Sequence, residues 1–383
     1  MATEVINRLA ETESLLSRHH SSPVTVREWQ HLEPWAVARA QLRGLARHEH
    51  VIVKWVRSSH PDRTRSEGWR SRTELAALRF LSEDLALSLA PRVIAADVSS
   101  GLTVLEDLAP RVALDQLLRA DGAAAHADRL VAFARVQGEF HAATACMAAT
   151  YYARRGALGP VDPAADRVGR WTGLREEGRR QAAAAGVPIT GQAERELVAV
   201  LEELAEPGPF LAFSNGDAGA NNTLVHASGV PDPRLIDFEF AGYTHALNDA
   251  VCLHVPGPAW LSVGDAIADG LADAYRQALA RGVRQAEDDQ RYGFALAAAC
   301  ISFALVRLQR LSLLDTRAPG DDSRLQLVAT LEAAARTAEA HYALPHLTGW
   351  ARQMADLLRR RWPDTDLSLT DPTTFPPYSA RRR

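Results

Sequence analysis

The sequence predicts an α+β chain of two lobes, a small sheet-rich lobe followed by a larger, mainly helical one. Three observations carry this. Strand-like runs crowd the first hundred residues, Ala-rich segments of helical periodicity dominate beyond Pro110, and a few short extended pieces interrupt those helices around polar turns. The junction falls near residue 107, which sets a first lobe over 1–107 and a helical lobe over 108–365. The last stretch, 366–383, is rich in Pro, Thr, Ser and Asp and reads as a loosely held tail.

Composition narrows the function classes. A chain of 383 residues exceeds one ordinary compact domain, and its 47% hydrophobic content is enough for a sizeable core. A net charge of -4 provides no basic footprint for nucleic acid. Cys146, Cys252 and Cys300 lie far apart, in no zinc or disulfide spacing, which favours a reducing compartment. MATEVINRLAETE lacks the basic start and apolar block of a secretory signal, so a cytoplasmic location is expected. The most apolar run, Tyr292 to Val306, falls short of the roughly 20 residues that span a bilayer and reads as a buried core helix; no membrane partner is expected. Oligomeric state stays open.

Taken in order, residues 3–18 space their apolar side chains as a helix. VTVREWQHL (24–32), WAVARAQL (35–42) and VIVKWV (51–56) read as strands, with RGLARHEH as the turn between the last two. From Trp69 to Leu81 the pattern turns helical through Leu75, Leu78 and Leu81. PRVIAADV and LTVLEDL then form two strands about a Ser-Ser-Gly turn. Beyond Pro110, LDQLLRA, the run from Ala125 to Ala149 and ERELVAVLEELA have helical spacing, and helices resume after residue 250 up to about Arg361.

The chemistry gathers in two stretches, FSNGDAGANNTLV (213–225) and LIDFEF (235–240). Asn222 and Asp237 offer hard oxygen atoms suited to Mg²⁺, which is usually held by one or two carboxylates together with substrate phosphates. Asp217 could orient an attacking hydroxyl and accept its proton. Lys54, centred in an apolar strand, must aim its ammonium at something polar, and Glu74 at the start of the next helix could pair with it. Order and spacing together match what phosphoryl transfer requires.

These residues resemble the aminoglycoside phosphotransferase and choline kinase-like family, relatives of the protein kinases. Asn215-Gly216-Asp217, then Asn222, Leu224 and Val225, match its H-G-D-x-x-x-x-N-hydrophobic pattern, and Ile236-Asp237-Phe238-Glu239 matches its I-D-F-E element. Asp249 in HALNDAV matches a structural aspartate, Lys54 the strand lysine and Glu74 the helix glutamate, over about residues 24 to 255. The resemblance implies a protein kinase-like two-lobed fold and transfer of the γ-phosphate of ATP (or GTP) to a hydroxyl of a small acceptor. An aminoglycoside-type antibiotic or a related amino or sugar metabolite would be such an acceptor. It implies that Asp217 is the catalytic base, that Asn222 and Asp237 hold Mg²⁺, and that Lys54, oriented by Glu74, contacts the phosphates. Backbone groups from Glu106 to Leu108 would hold the adenine.

Two features depart from the family pattern. Asn215 replaces its histidine, and HLEPWAVARA between the first two strands has no glycine to cover phosphates. They define the alternative, a pseudokinase that binds nucleotide or a partner without transfer. For the acceptor, Asp265, Asp269 and Asp273 recur every four residues and would form a carboxylate stripe along one helix face. Asp265 and Asp269 are therefore candidate acceptor ligands, against the plain reading of a solvated face.

Overall fold

The first helix, α1 (Ala2–His20), lays Leu15 and Leu16 against one face of an antiparallel sheet, where they meet Ala38, Ala40, Val51, Val53 and Val104. That sheet contains β1 (Thr25–His31), β2 (Val37–Arg43), β3 (His50–Lys54), β4 (Val93–Asp97) and β5 (Leu102–Glu106), in the order β1-β2-β3-β5-β4. The computed structural model describes residues 2–32, 36–44, 49–56, 66–258, 260–371 and 373–378. The strand start at Trp35, the centre of the glycine-free segment (33–35), and His48 with most of its turn lie outside the described residues.

The two-residue period of a strand decides where Lys54 points. In β3, Val51 and Val53 are fully buried on the α1 face, so Ile52 and Lys54 turn to the opposite face. There α2 (Glu67–Arg79) crosses the sheet, its N-terminus capped by the Ser66 side chain, which accepts from Trp69 N–H. A wider, π-type turn over Phe80–Asp84 extends it and inserts Phe80 between the lobes.

The helical lobe begins with β6 (Val112–Ala113) and α3 (Leu114–Asp121). The helix predicted over 125–149 is broken: α4 (Ala127–Thr144) ends before Cys146, whose φ of 65° cannot continue a helix, and α5 (Ala148–Gly156) restarts the run. Next come α6 (Arg170–Ala184) and α7 (Gly191–Ala205). The short extended pieces expected around the polar turns are β7 (Leu211–Ser214), β8 (Thr223–Val225), β9 (Arg234–Leu235) and β10 (Gly242–His245). They form two small sheets, β10-β7 and β6-β8-β9, that present the intervening loops at the lobe junction. Then follow α8 (Leu247–His254), α9 (Leu271–Ala280), α10 (Asp289–Leu308), α11 (Leu311–Asp315), α12 (Asp322–Ala340) and α13 (Pro345–Arg361). As expected of the apolar run over 292–306, α10 is the core helix, with Leu296, Ala298 and Ile301 fully buried. It has the length and apolar content of a membrane span, but 78% of its most apolar 18-residue window is buried within the lobe.

Two expectations are corrected here. Residues 265–270 form turns, not a helix: Asp265 Oδ1 accepts the N–H groups of Ile267 and Ala268, and Gly270 sits at φ 74° before α9 begins at Leu271. A left-handed glycine cannot lie inside a continuous helix, so the carboxylate stripe never forms. The chain end, expected to be loosely held, is docked as far as Tyr378. Its ring lies edge-on to Trp260 at 5.7 Å, its N–H donates to Ser262 O at 2.9 Å, and it is 3% exposed. One aromatic anchor outweighs the tail's polar composition.

Candidate active site

Lys54 is the centre of the charge cluster. Its Nζ lies 2.7 Å from Glu74 Oε1 and 3.1 Å from Asp237 Oδ1, so β3, α2 and the loop after β9 meet at one ammonium. Burial opposes that charge, yet Glu74 and Asp237 together outweigh it and raise the Lys54 pKa above its ordinary value. A second link joins the same elements: Arg70 of α2 donates to both Glu239 oxygens, at 3.0 and 3.2 Å. Neither composition nor spacing had marked Arg70.

The loop after β7 is held from within. Asn215 is 2% exposed; its Oδ1 accepts the Asp217 N–H at 3.1 Å and its Nδ2 reaches Ile236 O at 3.4 Å. The amide thus braces this loop to the one carrying Asp237. Gly216, at φ 80°, has no room for a side chain: a Cβ would stand 2.3 Å from Phe240 O and 2.5 Å from Arg170 Nη1. Beneath it, Ser214 Oγ accepts the Gly216 N–H and donates to Asp249 Oδ1, each at 2.8 Å. His141 Nε2 sits 3.1 Å from the other Asp249 oxygen, and its Nδ1 meets Tyr275 Oη at 2.8 Å. Asp249 therefore anchors the loop's floor, the structural part its position suggested; His141 and Tyr275 had no sequence signal.

Asp217 faces outward from this floor. Burial pushes its carboxyl above the ordinary aspartate range, while Arg170 and the Asn222 amide pull it back. Asn222 Nδ2 donates to Asp217 O at 2.8 Å and to Asp217 Oδ2 at 3.1 Å, which leaves the Asn222 Oδ1 as that side chain's atom available to a cation. Asp237, at φ 62°, keeps a second oxygen beyond its bond to Lys54. Left-handed aspartate is tolerated but uncommon, and here it turns the carboxylate toward Lys54. Asn222 and Asp237 so provide the hard-oxygen set that suits Mg²⁺. Among the described residues no cluster of three or more His, Cys, Asp or Glu could hold an ion alone. Phosphate oxygens would have to complete its shell.

A model of the phosphotransferase enzyme family, APH, matches residues 42–292, a span that contains Lys54, Glu74, Asp217, Asn222, Asp237 and Asp249. The chain belongs to this family. The phosphotransferase is accordingly an enzyme that acts on hydroxyl groups, in an architecture of a small antiparallel sheet followed by a mainly helical remainder. Similar solved structures include the choline kinase LicA of Streptococcus pneumoniae, at 15% identity and TM-score 0.45 over 85% of this chain and 99% of that one. A choline/ethanolamine kinase family protein of Mesorhizobium loti is 16% identical, at TM-score 0.43 over 92% and 99% of the respective chains. The gentamicin complex of APH(2″)-IIa is 14% identical, at TM-score 0.45 over 87% and 98%. No curated protein matches the phosphotransferase.

At the lobe junction Leu108 is buried, and its carbonyl accepts from Arg111 N–H and Nη1 at 3.2 and 3.3 Å. Glu106 accepts from Arg92 N–H at 3.2 Å and Asp107 from Arg39 at 2.5 Å, beside a cavity of about 700 Å³. These side chains are tied to the lobe, so recognition of a base there would fall to backbone groups. A smaller cavity, about 150 Å³, lies against Asp217. Asp166, Arg170, Trp171, Phe240, Ser302 and Phe303 are among its walls. Asp265 and Asp269 do not line it and are exposed, in keeping with their turn. None of the wall residues on α6 stood out in the sequence, because RWTGLREEGRRQAAA carries only a weak apolar stripe.

Proposed function

We propose that the phosphotransferase moves the γ-phosphate of ATP to a hydroxyl of a small molecule seated against Asp217. The observation that carries this reading is the Lys54 ammonium bonded at once to Glu74 and Asp237, a cation for phosphates beside a carboxylate for a metal. Asp217 orients the acceptor hydroxyl and takes its proton; the acceptor oxygen bonds to the γ-phosphorus as the bond to the bridging oxygen breaks, and ADP leaves. Lys54 steadies the phosphates, while Asn222 and Asp237 would hold Mg²⁺. Bound there, the ion would neutralise phosphate charge as the bond breaks.

The test is ADP release from Mg-ATP across amino sugars, macrolides, amino alcohols and hydroxy acids, with Asp237→Asn run alongside. Acceptor-dependent release that falls at least about 100-fold in the variant supports transfer, within the range by which positioned electrostatic groups act. Mg-ATP binding without release for any acceptor would favour the non-transferring alternative.

Arg170 offers a pH test. Replacing it with glutamine removes a charge that opposes the effect of burial on Asp217, so the carboxyl pKa rises further. Activity needs the carboxylate, hence the acid limb of kcat/KM moves to higher pH. Parallel pH profiles of the two proteins check this, and a limb that stays in place contradicts it.

A further inference from the structure

We propose that residues 373–378 form a strap that fixes one wall of the cavity against Asp217, with Tyr378 as its positioning residue. From the proposed function this takes only the reading that an acceptor sits in that cavity.

The wall belongs to a connection with little structure of its own. Between α8 and α9, residues 255–270 contain no helix or strand among those described, and Val255, Gly257 and Pro258 line the cavity. Ordered connections of that length are uncommon in compact folds and are usually functional. Gln326 of α12, fully buried, donates from Nε2 to both Gly257 O and Trp260 O, and its Oε1 accepts from Arg307 Nη2 at 3.3 Å. One side chain thus couples the cavity wall at Gly257 to Trp260, and whatever fixes Trp260 fixes the wall.

The strap does so at several points. The Tyr378 ring meets Trp260 edge-on at 5.7 Å, Tyr378 N–H donates to Ser262 O at 2.9 Å, and Ser262 Oγ donates to Pro376 O at 3.4 Å. Pro377 packs so closely that a Cβ at Gly264 would stand 3.1 Å from the proline Cβ. The upstream chain is tied elsewhere: Arg359 of α13 donates to Leu367 O at 3.1 Å while bonded to both Glu332 oxygens, at 2.8 and 3.0 Å. The segment therefore runs from the α12–α13 pair to the cavity wall. Tyr378 has φ 57°, which bulky residues rarely adopt, so its contacts and not its backbone preference hold it there. Its Oη is buried and makes no hydrogen bond among the described residues, which leaves the ring as the part that anchors.

Cys252 of α8 lines the same cavity and reports on it, beside an exposed Cys146 and a fully buried Cys300 in the core of the lobe. The test is iodoacetamide labelling of the full chain, each cysteine followed by mass spectrometry, in the native protein, Tyr378→Leu and Tyr378→Phe. Tyr378→Leu is expected to speed labelling of Cys252 at least about fivefold through local opening, with Cys146 unchanged and Cys300 unlabelled. Tyr378→Phe keeps the ring and should match the native protein. With a member of the acceptor panel that is turned over, Tyr378→Leu should raise the acceptor KM at least about fivefold and leave the KM for ATP within about twofold. The inference is overturned if Cys252 labelling does not change, if Cys300 becomes labelled with it, if Tyr378→Phe behaves as Tyr378→Leu, or if the two KM values rise together. Labelling needs no transfer of phosphate, so the two readings fail separately. A panel with no ADP release would defeat the proposed function and leave the strap to be decided by Cys252.

Discussion

Asparagine in place of Asp217 is expected to lower kcat by about 10²–10⁴, the usual contribution of a positioned general base. The change is nearly isosteric, and the Asp217 N–H can still donate to Asn215 Oδ1. Two things are lost. The new amide cannot take a proton, and the Asn222 Nδ2 bond that now reaches Oδ2 at 3.1 Å loses its charged acceptor. Acceptor binding should change little, since the side chain is exchanged within the same space. Steady-state kinetics with a turned-over acceptor would show the fall in kcat with KM within a few-fold. A variant keeping more than about a tenth of the native rate would remove Asp217 from the chemistry and leave it a structural part of the loop.

The second large effect falls on stability. Phe213→Ala is expected to cost about 3–5 kcal/mol, the range for emptying a buried aromatic site. Phe213 is fully buried in β7, directly ahead of the polar loop. Its ring lies 4.5 Å from Tyr151, 5.3 Å from Phe80 and 5.4 Å from Tyr243, and stacks on Phe238 at 6.4 Å. Those partners come from α5, the end of α2, β10 and the loop carrying Asp237, so no single element can move in to fill the gap. Urea unfolding followed by tryptophan fluorescence would measure the loss, with Phe213→Leu as a milder control. A loss below about 1 kcal/mol would mean that the cluster collapses freely around the missing ring.

Why some of this was legible in the sequence and some not has a physical basis. Lys54, Glu74, Asp217, Asn222 and Asp237 could be read because each needs a particular neighbour at a particular distance along the chain: a lysine in an apolar strand, an asparagine five residues beyond an aspartate. The structure brings Lys54, Glu74 and Asp237 together at one ammonium, and Asp217 with Asn222 through one amide. The α6 wall carries no such local rule. Arg170 becomes significant only because the fold packs it against Phe240 and Gly216, and nothing within its own helix signals that. The reading of Asp265, Asp269 and Asp273 failed for the opposite reason, since a four-residue spacing implies a shared face only where the backbone is helical. Gly270 ends that condition. The tail was misread from composition, which averages over one tyrosine that decides its placement.

The paired links from α2 to the loop after β9 have a thermodynamic consequence. Lys54–Glu74–Asp237 and Arg70–Glu239 make the pose of that helix and the pose of the Asp237 loop a single variable. Were a nucleotide to draw Lys54 away from Glu74 and so favour another pose of α2, reciprocity would require any contact that biases that pose to change nucleotide affinity by the same factor. The outer surface of that helix is thus a place from which a bound molecule could tune the enzyme without ever entering its cleft.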